Sequence, residues 1–288
     1  MNVVEKNKKI LINTLYMYIR MFIMLILSLF TARIVFNTLG VDNYGIYGLV
    51  AGIIVFFSFL NNGLSAATKK FVTGAIVDES ESISHTFNTC IIAHFIISLI
   101  VLFLSETIGI WIVNNVLNIP HDRIYAANWV YQLSVIAAIL GIIQSPFGAL
   151  IIAYEKMNIY AYFTIIDVVF KLFIIYLIQY INGDKLIIYS ILIFTVTLIN
   201  IVIYFVYTYQ QFPLCRIQRI RLDRKLLKEI FSFTSWSLFG QAAVVGTNQG
   251  TSVLVNVYNS VAVNAAMGHR TAVRRRCAQG SERVRAFI

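Results

Sequence analysis

Gln144–Lys171, QSPFGALIIAYEKMNIYAYFTIIDVVFK, is the stretch whose reading decides the fold. An apolar run containing Pro146 leads into a short polar turn, Tyr154-Glu155-Lys156-Met157-Asn158. A second apolar run follows and carries Asp167 and Lys171, four residues apart. If both runs are membrane helices, an acid and a base sit inside the bilayer on one helix face. Charges there cost energy unless they pair or line a polar cavity, which makes them candidate functional residues.

Composition supports the membrane premise. Of 288 residues, 59% are hydrophobic and 12% charged, with a mean hydropathy of +0.77. Soluble domains carry about 25% charged residues, so this chain has more apolar surface than a water-facing shell can hide. Cys90, Cys215 and Cys277 show no metal or redox spacing and are expected as apolar fillers or unpaired thiols. The apolar run after Lys9 is longer than a signal-peptide core and lacks a small-residue cleavage site, so it is expected to stay as the first span.

A span needs about 20 mostly apolar residues. Seven stretches qualify: Ile10–Phe36, Ile46–Ala67, Phe87–Leu104, Tyr125–Ala153, Ile159–Tyr180, Leu186–Tyr207 and Ile230–Val257. None alternates polar and apolar residues as a membrane strand would, so the expected fold is all-α and integral to the membrane. With a cytoplasmic N-terminus, the inner segments hold Lys6, Lys8, Lys9, Lys69, Lys70, Lys156 and six cations between Arg216 and Lys228. The outer segments hold Arg123 and Lys185. That asymmetry sets the orientation. Six of the 23 Lys and Arg lie after Gly268 and most of the others flank apolar runs, so the net charge of +10 does not call for nucleic acid as a partner.

Between the spans, Asn37–Gly45 reads as a tight outer turn and Thr68–Thr86 as a longer inner loop. Ser105–Ile124 is apolar enough to lie in the outer interface, with Trp111 at headgroup level. Gln210–Glu229, containing RIQRIRLDRKLLKE, reads either as a basic helix on the anionic inner surface or as orientation signal only. The domain plan is a first six-helix bundle over 1–209, a basic cytoplasmic linker over 210–229, the start of a second bundle over 230–268, and an atypical tail over 269–288. That tail is rich in Arg and Ala and breaks off where an eighth helix starts, at NSVAVNAAMG. A shifted reading frame or truncated gene is the expectation, with a natural basic tail as the alternative.

Four stretches resemble the polysaccharide flippases of the multidrug/oligosaccharidyl-lipid/polysaccharide (MOP) exporter superfamily, which include O-antigen and capsule repeat-unit transporters. TARIVFNTLGVDNYGIYGLV resembles the first helix, outer turn and second helix, and TKKFVTGAI the first inner loop. QSPFGALIIAYEKMNIYAY resembles the fourth helix, its turn and the fifth. LLKEIFSFTSWSLFGQ, with NQG and VNAAMG after it, resembles the entry into the seventh helix and beyond. The resemblance covers 1–268. It implies the N-terminal half of a MATE-like bundle pair, a cationic central cavity, and no covalent chemistry.

Candidate residues follow from charge and position. Arg20 lies about 15 Å into the first span. Guanidinium suits phosphate because it stays charged and donates bidentate hydrogen bonds. Arg33 lies about 220° around the helix from it and either lines the cavity or snorkels to the outer headgroups. Asp167 and Lys171 can meet at i,i+4. They form either a structural ion pair or a switchable one, in which Lys171 binds an anionic lipid head and freed Asp167 accepts a proton or cation. Asn248 and Gln249 either contact sugar hydroxyls or hold helices together. Pro146 removes a backbone hydrogen bond and is a candidate hinge.

The expected function is a flippase moving undecaprenyl-diphosphate-linked oligosaccharide across the bacterial cytoplasmic membrane for surface polysaccharide synthesis, inactive as this fragment because alternating access needs both halves. It is not an enzyme and needs no cofactor; coupling to a proton or sodium gradient is what the resemblance adds. Its partners are the lipid-linked oligosaccharide, membrane lipids, and glycosyltransferases and polymerase of the same pathway. The alternatives are a MATE-like drug or cation antiporter and a membrane polymerase or acyltransferase. The net positive intramembrane set disfavours the antiporter, and the short outer loops with few ionisable groups disfavour the enzymes.

Overall fold

The computed structural model describes residues 3–78, 83–117, 119–213 and 223–240. Among them every regular element is helical. The chain divides into two compact units, Met1–Ser235 and Trp236–Ile288. Of the second, residues 236–240 are described; they are helical, and the Trp236 and Phe239 rings stack at 5.9 Å. The first unit holds everything below.

Helix α1, Val3–Val77, is broken at Gly40, where φ is 78° and ψ 170°. A side chain is strongly disfavoured there, and glycine enters at little cost. The turn expected over Asn37–Gly45 therefore shrinks to one residue. The second limb runs to Val77, beyond the expected end at Ala67, because Val72 and Ala75 are buried in the core and hold the helix together. Helix α2, Ile83–Leu104, passes through a π-helical turn, Ser105–Gly109, into α3, Ile110–Asn115. The segment expected to lie in the interface thus begins as an extension of α2. The Tyr131 hydroxyl donates to the Ser105 carbonyl at 2.7 Å, and Val113 packs on Ala126, Ala127 and Val130, which fixes that course. A 3₁₀ turn, His121–Arg123, precedes α4, Ile124–Ala153; then come α5, Met157–Ile178, and α6, Lys185–Gln211.

Among the described residues five stretches are long and apolar enough to cross a membrane: Asn7–Gly40, Ile83–Asn115, His121–Ala153, Met157–Ile178 and Lys185–Gln211. The second limb of α1 returns between them. Its Ile46 and Val50 pack with Ala126, Ala127 and Val130 at one end. Its Leu64, Ala67 and Val72 pack with Phe87, Leu150 and Ile151 at the other. Phe22, Leu29, Phe30, Phe103 and Phe173 are exposed on the outside of the bundle, as lipid-facing positions should be and as a soluble monomer could not sustain. The chain is a multi-pass membrane protein. Of the seventh expected span, Ile230–Val257, residues after 240 lie outside the described set, and so does the tail over 269–288.

The connections sort by end. Lys9 Nζ pairs with Glu155 at 2.7 Å, and Lys156 bonds Gln211 at 3.3 Å with its ammonium 4.9 Å from the Phe212 ring centroid. At the opposite end Arg123 pairs with Asp184, whose other oxygen caps α6 by accepting from the Leu186 amide at 2.9 Å. The α4–α5 turn closes as a Schellman motif: Lys156 N–H donates to the Ile151 carbonyl and Glu155 N–H to that of Ile152. Glu155 takes the left-handed position, φ 57°, that this cap requires. The two apolar runs of the deciding stretch are therefore an antiparallel hairpin. Pro146 is buried within α4, which is helical on both sides of it.

Candidate functional site

Helix α5 carries Tyr160, Phe163, Asp167 and Lys171 at i, i+3, i+7 and i+11. At 100° per residue these fall within about 80° of arc, so a single stripe bears two aromatic rings below an acid and a base. Lys171 Nζ donates to Asp167 Oδ2 at 2.7 Å. The carboxylate side chain is 17% exposed and the lysine 34%, so the acid faces inward and the base reaches toward open space.

Three other helices close on the stripe. From α1, the Arg20 guanidinium sits 5.0 Å from the Tyr160 ring centroid, a cation–π contact. Arg20 is half-buried, and its Nε is buried with no hydrogen-bond partner among the described groups. One turn back on α1, Tyr16 meets Tyr162 edge to face at 6.4 Å. From α6, Tyr204 is 4% exposed and packs edge to face on Phe163 at 5.0 Å. Asp167, Tyr160 and Arg20 all act electrostatically on the Tyr204 hydroxyl. From α4, Gly148 comes so close that a Cβ there would lie 3.6 Å from Tyr204 Cε1 and 3.9 Å from Tyr160 Cε2. Pro146 lies two residues before that contact, so bending α4 there moves the wall behind both tyrosines.

The structure thus sets Arg20 against Tyr160 and pairs Lys171 with Asp167 on the same α5 stripe, about 16 Å of helix axis apart, with Pro146 on the helix behind Tyr160. Arg33 stands apart: it is exposed, and the next buried residues, Val35 and Leu39, belong to the cluster with Ile174, Ile175 and Ile178 at the Arg123 end. Asn248 and Gln249 lie outside the described residues. Tyr160, Phe163 and Tyr204 were not singled out from the sequence. The signal for the first two was present as the stripe through Asp167; for Tyr204 nothing in α6 marked which tyrosine turns inward.

The arrangement has groups that can take up an anion. Arg20 offers a fixed charge and an open donor. Lys171 offers a second cation whose present partner, Asp167, can be exchanged for an incoming anion. Tyrosine hydroxyls and ring faces supply sites for polar and C–H surfaces. Among the described residues the histidines take no part: His85 lies 4.0 Å from Asp223, His94 is buried with Nδ1 donating to the Cys90 carbonyl at 2.9 Å, and His121 is exposed. Among the described residues no group of three His, Cys, Asp or Glu side chains could hold a metal ion.

Solved structures share this architecture. An outward-facing multidrug resistance MATE family transporter of the MOP superfamily superposes with a TM-score of 0.73 at 14% identity, over 92% of this chain and 60% of that one. A MOP superfamily transporter from Pyrococcus furiosus, described as having a binding pocket of reverse polarity that suggests a different function, gives 0.74 at 15% over the same shares. A MATE protein in its straight conformation gives 0.77 at 12%, over 91% of this chain and 59% of that one. No protein-family profile and no curated protein sequence matches. The fold is that of the MATE transporters of the MOP superfamily, and the chain spans about 60% of the length of those structures.

Proposed function

We propose that the chain forms the first bundle of a membrane transporter that moves an undecaprenyl-diphosphate-linked oligosaccharide across the bacterial cytoplasmic membrane. The observation that carries this is Arg20: a guanidinium about 15 Å into its span, held over Tyr160 and still carrying an unsatisfied donor. A charge in the bilayer without a carboxylate partner is stabilised by an anion that arrives there. The diphosphate is taken by Arg20 and by Lys171 in turn, the sugars follow the tyrosine wall, and the lipid tail stays in the bilayer. Capture of the head by Lys171 frees Asp167 to take a proton or sodium ion, which couples transport to a gradient. Movement of the site between faces needs a second bundle, which this chain begins after the 210–229 linker.

The N-terminus is cytoplasmic in this account. Lys9 and Lys156 share one end of the bundle and Arg123 the other, which agrees with cationic inner loops. Glycosyltransferases and a polymerase that make and use the glycan are the expected partners. The MATE-like cation antiporter remains the second reading because Asp167 shares the α5 stripe with Tyr160 and Phe163, an acid beside aromatic rings being a setting for an organic cation. Lys171 at 2.7 Å already fills that position, which favours the anion.

Photo-crosslinking tests the proposal. A benzophenone amino acid replacing Phe163, beside Tyr204, should capture radiolabelled undecaprenyl-diphosphate glycan in membranes. The same group replacing lipid-exposed Phe103 should not. Equal capture at both positions, or capture at Phe103 alone, refutes it.

A further inference from the structure

A second polar surface lies at the Arg123 end, away from the Arg20 cluster. Helix α4 presents Tyr125, Asn128, Trp129 and Gln132 within about 100° of arc, and all four are exposed or half-buried. The neighbouring elements answer them. Asn128 Nδ2 donates to Asn114 Oδ1 at 2.9 Å and Asn114 Nδ2 returns to Asn128 Oδ1 at 3.3 Å. Gln132 Nε2 donates to Glu106 Oε2 at 3.2 Å. Tyr125 and Trp129 meet edge to face at 6.4 Å beside this row. The stretches Ile83–Asn115 and His121–Ala153 each run 33 residues, about 50 Å against about 30 Å of hydrocarbon. The patch, in the first turns of α4, therefore stands at headgroup level and above at the Arg123 end.

Interfacial aromatic anchoring explains Tyr125 and Trp129 but not three carboxamides and a carboxylate arranged beside them. A phosphate ligand does not suit the patch: Glu106 adds negative charge, and Arg123, two residues before Tyr125, is committed to Asp184. The Asn114 and Asn128 donors are spent on each other and on the Ile110 and Ile124 carbonyls, which leaves their oxygens to accept; Gln132 keeps one donor, the carboxylate accepts, and tryptophan and tyrosine faces take C–H surfaces. Vicinal hydroxyls on a ring with a C–H face match all three. We propose that Glu106, Asn114, Tyr125, Asn128, Trp129 and Gln132 form a binding site for neutral sugar rings of a glycan at the Arg123 end of the bundle. The assignment rests on the patch's own chemistry and not on the transport reading.

Saturation-transfer NMR on the full chain in nanodiscs tests it, using a panel of neutral hexose and N-acetylhexosamine oligosaccharides beside sugar 1-phosphates. Transfer should reach sugar C–H protons of at least one neutral oligosaccharide. Trp129→Ala should weaken it about fivefold, the loss of one aromatic contact, and Gln132→Leu should weaken it with the helical circular dichroism unchanged. Arg20→Gln should leave it as in the wild type, so failure here and failure of the transport reading are separable. No transfer from any neutral oligosaccharide, equal transfer in both patch variants, or a preference for the sugar phosphates overturns the proposal.

Discussion

Asp167→Asn should tighten binding of a diphosphate lipid rather than weaken it. In the structure Asp167 neutralises Lys171 at 2.7 Å. A phosphate oxygen accepting from the other side of that ammonium would lie about 5 Å from the carboxylate. At an effective dielectric of about 20, two like charges at that separation repel by ~3 kcal/mol. Lys171 is 34% exposed, so solvent screens part of this, and about 1.4 kcal/mol, or tenfold in affinity, is the expected gain. Lys171→Gln should lose affinity instead, because it removes the donor and leaves Asp167 facing the incoming anion. Thermophoresis of the chain in nanodiscs with undecaprenyl diphosphate reads both, with thermal unfolding as the control for folding. If Asp167→Asn binds no tighter than wild type while Lys171→Gln also binds as wild type, the pair is a strut between helices and the exchange mechanism fails.

Two further perturbations test the frame around the site. Gly109→Ala would place a methyl group 1.8 Å from Tyr131 Oη; it should destabilise the α2–α4 contact by roughly 1–3 kcal/mol, and Tyr131→Phe in the same chain should restore part of that, measured by thermal unfolding. Asp223 accepts from the Leu226 and Lys225 amides, and these bonds hold its carboxyl below the usual carboxylate range. A depressed carboxyl stabilises the fold above its unfolded pKa and loses that contribution as pH falls through its folded value. Amide exchange at Lys225 and Leu226, corrected for the intrinsic pH effect, should therefore quicken below about pH 4. The same acceleration should be present at neutral pH in Asp223→Ala.

Much of the bundle was legible because apolar length and charge placement are one-dimensional signals. The Tyr154–Lys156 turn, the helices on both sides of it, and the pairing of Asp167 with Lys171 follow from spacing alone. The ends of α1 were not legible. Polar Asn37, Thr38, Asp42 and Asn43 mark the turn but do not narrow it to Gly40, and Phe71, Val72 and Ala75 extend the second limb through a stretch that Lys69 and Lys70 mark as a loop. The π-helical turn at Ser105–Gly109 depends on a hydroxyl from Tyr131, 26 positions away. The aromatic wall was hidden for a related reason. Tyr160, Phe163 and Tyr204 sit in helices that are apolar all round, so hydropathy does not separate the ring that lines a site from the ring that meets lipid. Contact with Arg20 and Gly148 does separate them, and that is a property of the packed bundle.

The central claim is that Arg20 holds the charged head of a lipid carrier within the membrane. Affinity of the chain in nanodiscs for undecaprenyl diphosphate and for undecaprenol, which lacks the phosphates, tests it most directly in wild type and Arg20→Gln. Charged hydrogen bonds contribute about 1.5–3 kcal/mol each, so Arg20→Gln should weaken diphosphate binding by about tenfold or more and leave undecaprenol unchanged. Equal diphosphate affinity in the two chains, or undecaprenol binding as tightly as the diphosphate, would contradict the account.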